Sequence, residues 1–140
     1  MDEKAPKLRF WWFVLAAFAG FGPTAVIFWP LTYTEYLQSN SLILPWVGAI
    51  GIASAVVAAF AERAHRSGPG ILLLTPWVGV GTILATLGRV AFDVRLDPTS
   101  HNLWPFEVVM MLVFSLIPGL FGVLVGRGVG RLLATGKTTE

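Results

Sequence analysis

Cysteine is absent from this chain, histidine occurs twice, and Asp, Glu, Lys and Arg together make up only 13% of its 140 residues. Each shortage removes a class of chemistry. Without cysteine there is no disulfide framework, no thiolate nucleophile and no sulfur ligand set for zinc or an iron–sulfur cluster. Also missing are Gly-x-Gly-x-x-Gly, a phosphate-cradling loop with Lys, His-Glu-x-x-His and a nucleophilic Ser set among glycines. Ser115 lies inside an apolar run with no histidine at its depth to serve as its base. The sequence therefore predicts a non-enzymatic protein without metal or cofactor.

Hydrophobic residues, by contrast, reach 55%, above the roughly 45–50% usual for soluble domains. Four apolar stretches account for the excess, at residues 10–30, 42–61, 71–91 and 103–125. Each has about the 20 residues that a helix needs to cross roughly 30 Å of hydrocarbon. None alternates in polarity as a barrel strand would. The linkers, 9 to 11 residues long, leave no room for another domain. The predicted fold class is all-α: a polytopic membrane protein, residues 1–140 forming one up-down bundle of four transmembrane helices. The first stretch has a basic flank, but Phe28, Trp29 and Leu31 stand where a signal peptide would carry small residues, so the helix is expected to be retained.

Charge orients the bundle. Lys4, Lys7, Arg9, Arg63, Arg66, Arg127, Arg131 and Lys137 fall on one side of four alternating helices, and only Arg89 and Arg95 on the other. The positive-inside rule then puts both termini in the cytoplasm, for a protein of the cell inner (plasma) membrane. The basic pI of 9.4 reflects helix ends facing anionic headgroups and implies no nucleic-acid partner. The six tryptophans sort independently onto the two interfaces: Trp11, Trp12 and Trp77 on the inner side, Trp29, Trp46 and Trp104 on the outer. His65 and His101 belong to opposite sides, which excludes a shared haem iron within one subunit.

Helices in lipid associate through small residues and polar contacts. Ser115, Gly119, Gly122, Gly126 and Gly130 recur at three- and four-residue intervals and share one helix face, and Gly48, Gly51, Ala55 and Ala59 repeat the pattern. Packing within the bundle and docking of a second chain would both satisfy such faces. In the third stretch Thr75, Gly79, Thr82, Thr86, Arg89 and Asp93 form a polar stripe that should face the bundle or a hydrated cavity. Arg89 and Glu107 are expected at similar depth near the outer end, paired across the hairpin. Either the pair fixes register, or Thr82, Thr86, Arg89, Asp93 and Glu107 line a polar pocket for an ion or small solute.

Gly22-Pro23 and Pro118-Gly119 should bend the first and fourth helices. Pro45-Trp46-Val47-Gly48 recurs 31 positions on as Pro76-Trp77-Val78-Gly79, which a belt tryptophan near a helix start explains without ancestry. The outer linkers carry Tyr33, Glu35, Tyr36, Arg95, Asp97 and His101, a candidate recognition cap, with Ser100 or Asn102 as N-cap of the last helix. The spans lack a midplane ionisable residue, which weighs against a proton-coupled exporter. The expected function is accordingly a membrane accessory or assembly subunit, with lipid and other membrane chains or copies of itself as partners. The alternative is a homo-oligomeric transporter or channel for an ion or small solute, using the pocket near Arg89 and Glu107.

Overall fold

The computed structural model describes residues 10–65, 68–101 and 103–135; Lys4, Lys7, Arg9, Arg66, Asn102 and Lys137 lie outside them. The described residues are 91% helical, with no strand among them. Four of its helices are long and apolar enough to cross a membrane. These are α1 (Phe10–Phe28), α3 (Ile43–His65), α4 (Leu74–Leu96) and α5 (Trp104–Thr135), with a short α2 (Tyr33–Leu37) between the first two and 3-10 turns at Ser39–Leu42 and Gly68–Leu73.

Helix ends follow from local chemistry. α1 stops at Phe28, short of the expected residue 30, because Pro30 disfavours helical backbone at the residue before it. It continues through Pro23, as α5 does through Pro118. In the first linker Thr32 and Glu35 form a reciprocal capping box, which starts α2 where only a loop was expected. α5 runs on from the expected end at residue 125 to Thr135. Arg127 and Arg131 end the apolar run but not the helix, which stays docked on α3: Gly130 packs against Ala59, and Arg131 Nε donates to Glu62 Oε1 at 3.0 Å. At 32 residues α5 is about 48 Å long.

Close packing skips a helix in the chain order. α1 lies against α4, and α3 against α5, while α3 and α4 barely touch. Gly81 faces the carbonyl of Ala17, and Gly20 that of Val78; Gly122, Gly126 and Gly130 face the carbonyls of Gly51, Ala55 and Ala59. The α3–α5 contacts rise together in residue number, and α1 meets α4 at Phe13 with Trp77 and, further along both, at Trp29 with Ala85, so the helices of each pair run parallel. The two small-residue faces read from the sequence thus meet one another inside the chain. α4 is the most enclosed helix, with 50% of its most apolar stretch buried against 22–28% in the other three.

Outside these seams the surface is apolar: Val26, Leu44, Ile52 and Phe121 are largely exposed, as a lipid-facing surface requires. Trp46, in the first turn of α3, turns into the protein rather than toward lipid. It is fully buried, packs edge-on against Phe28 and donates from Nε1 to Thr24 Oγ1 at 3.0 Å, because Thr24 on the neighbouring helix gives its N–H a buried acceptor. Its counterpart Trp77 remains partly exposed beside Phe13. The repeated Pro-Trp-Val-Gly strings therefore have unequal surroundings.

A Cβ on Gly126 would collide with the backbone of Ala55, whereas no atom lies within 4 Å of a Cβ on Gly48. Gly126→Ala is expected to destabilise the chain by roughly 1–3 kcal/mol, the usual cost of overpacking, and Gly48→Ala to leave stability unchanged or raised. Thermal unfolding of both variants in detergent checks the contrast.

Candidate functional site

Six of the ten charged residues among those described, Glu35, Arg89, Asp93, Arg95, Asp97 and Glu107, lie at the end of the molecule that carries α2. The break at Trp29-Pro30 leaves the Leu31 carbonyl without a helical partner, and Arg89 Nη2 donates to it at 2.9 Å. Arg89 is almost fully buried. Its Nε lies 3.2 Å from Asp93 Oδ2, one helical turn on, within ion-pair distance but not aligned as a hydrogen bond. Its guanidinium carbon sits 4.8 Å from the centre of the Tyr36 ring, a cation–π contact.

The linker after α4 then turns the chain inward. Thr99 donates its hydroxyl and its N–H to Asp97 Oδ1, and Ser100 donates its N–H and hydroxyl to the Asp97 carbonyl. His101 follows with a positive φ of 54°, a left-handed conformation uncommon outside glycine. The turn drives its imidazole into the protein, where it is 1% exposed. Nε2 lies 2.8 Å from Asp93 Oδ2, and Nδ1 lies 2.6 Å from Glu107 Oε2. Tyr33 and Tyr36 pack against the ring, with centroids 4.4 and 5.9 Å away. Glu107 occupies the first turn of α5, where the helix dipole favours a carboxylate.

A neutral imidazole donates from one nitrogen only, so which of the two contacts is a donation by the ring depends on its tautomer. His101 spends each nitrogen on a different carboxylate, and no set of three such ligands among the described residues is placed to hold one metal ion.

The expected direct pair between Arg89 and Glu107 is thus replaced by a relay through Asp93 and His101. The reason is distance along the linker: His101 reaches both helix ends, and Arg89 turns instead toward Leu31. Thr82 and Thr86 are buried, but each donates to a carbonyl of its own helix, at Val78 and Thr82 respectively. Beside Thr86 and Arg89 the cavity measures about 10 Å³. Of the expected cap, Tyr33, Tyr36 and His101 join the relay, whereas Glu35 and Asp97 serve local turns and Arg95 is exposed. The Thr32 N–H and hydroxyl hold the Glu35 carboxyl below its ordinary range, and the Thr99 hydroxyl and N–H do the same for Asp97. Ser115, Gly119, Gly122, Gly126 and Gly130 are all buried along α5 and belong to packing rather than to this site.

His101 is the residue that sequence reasoning placed at the surface and the fold places at the centre. Two signals for it were present: it lies eight residues after one carboxylate and six before another, and it closes a turn opened by Asp97-Pro98. Comparison with protein-family models, with curated proteins and with solved structures finds no match for this chain.

Burial, reinforced by the Glu107 charge, pushes the Tyr36 hydroxyl up to about 12 from its ordinary value of 10.0. A raised value means stability that is complete below the unfolded value and lost as pH climbs through the folded one. Alkaline unfolding between about pH 10 and about pH 12 is therefore expected to be coupled to Tyr36. Ultraviolet titration should show a tyrosine ionising near the top of that window, and Tyr36→Phe should abolish the step. His101→Asn, which tolerates the left-handed backbone but bridges only one carboxylate, is expected to cost about 1–3 kcal/mol in thermal unfolding.

Proposed function

We propose that this chain is a non-catalytic accessory or assembly subunit of the inner (plasma) membrane, an up-down bundle with both termini cytoplasmic that packs against partner membrane proteins. The observation that carries this reading is that the polar stripe near Arg89 borders almost no open space. Thr82 and Thr86 donate to carbonyls of their own helix, and the cavity beside Thr86 and Arg89, about 10 Å³, has room for about one water. A solute path through a single chain finds no support there.

The lipid-facing surface is different. At the crossing of α3 and α5 an apolar notch of about 480 Å³ is lined by Gly48, Gly51, Ile52, Ile117, Pro118 and Phe121. Small residues at its floor admit a bulky side chain from a partner helix, the contact by which helices associate in lipid. Orientation rests on charge: Arg63 and Arg131 belong to the end opposite α2, and Arg95 to the α2 end, in keeping with the positive-inside rule.

Extraction in native lipid followed by identification of copurifying chains is expected to recover larger membrane proteins, and Ile52→Trp, which fills the notch, to release them. A homo-oligomer that moves solute in liposomes would instead replace this reading with transport. Because the chain has no cysteine, a single introduced one reports topology cleanly. Thr99→Cys is expected to react with an impermeant maleimide on intact cells, and Arg63→Cys only after permeabilisation.

A further inference from the structure

A second cavity adjoins the relay of Asp93, His101 and Glu107 on its α3 side. It measures about 290 Å³ and lies beneath α2, between the end of α1, the start of α3 and the first turns of α5. Its walls include the rings of Phe28, Tyr36, Trp46, Phe106 and Phe114, and Glu107 is the one charged residue lining it. Glu107 is 16% exposed, so its carboxylate is neither sealed nor freely solvated. His101 takes Oε2 and leaves Oε1.

Aromatic faces present negative charge to a ligand, and a carboxylate among them adds a full one. They offer a hard metal ion almost no oxygen ligands. We infer that this cavity binds an organic cation, a quaternary or tertiary ammonium on a small apolar body, as a free solute or as a lipid headgroup. Glu107 balances the charge, and the surrounding rings enclose the ammonium.

The test uses the full chain in phosphatidylglycerol nanodiscs, with benzyltrimethylammonium as probe and its uncharged isostere neopentylbenzene as competitor. Equilibrium dialysis is expected to show saturable binding that neopentylbenzene does not displace. Glu107→Gln should weaken binding about tenfold or more, and Phe106→Leu, at a largely exposed position, about threefold, in line with loss of a cation–π contact. If half the lipid is replaced by phosphatidylcholine, loss of probe binding identifies the headgroup as occupant and unchanged binding identifies a free solute. No saturable binding to the folded chain, equal affinity in Glu107→Gln, or displacement by neopentylbenzene overturns the inference.

Discussion

Hydrocarbon gives a helix no hydrogen bonds and little hydrophobic reason to meet another helix, so the distance at which two backbones approach governs this structure. Gly81 against Ala17, and Gly126 against Ala55, set that distance in the two parallel pairs. With the pairs drawn together, the tryptophans and threonines between them find each other. Trp46 reaches Thr24, which in turn donates to Gly20, and Trp29 reaches the Ala85 carbonyl. Each of these buried donors is satisfied by a neighbour that the glycine seams have brought within reach.

At the charged end the contacts arise by a different route. Here the partners come from breaks in helices rather than from helix faces. The end of α1 at Pro30 frees a carbonyl for Arg89, and the turn after Asp97 delivers an imidazole between two carboxylates. A buried charge left without a partner costs several kcal/mol. The left-handed backbone at His101 is a smaller cost that the two carboxylate contacts offset.

The four spans and the small-residue faces were legible because hydropathy and helical periodicity are local properties of sequence. What those faces touch was not, since Gly119 through Gly130 suit an internal helix as well as another chain. The extension of α5 past Gly126 escaped a hydropathy reading because a helix held by tertiary contact continues through Arg127 and Arg131. The capping box that starts α2 was written plainly as Thr32-Tyr33-Thr34-Glu35. His101 is the opposite case: its importance comes from α4 and α5 converging, and from one backbone angle, neither of which any window of residues contains.

The skipping of neighbours has a consequence for how the molecule is made. A chain entering the membrane from its N-terminus would present α1 and then α3, two helices whose mutual contact is modest, before either has its main partner. The seam of α1 closes only when α4 arrives some sixty residues later, and that of α3 only with α5. The first two helices therefore wait with open small-residue faces, and α5, translated after the other three, shuts the second groove and brings Glu107 to His101.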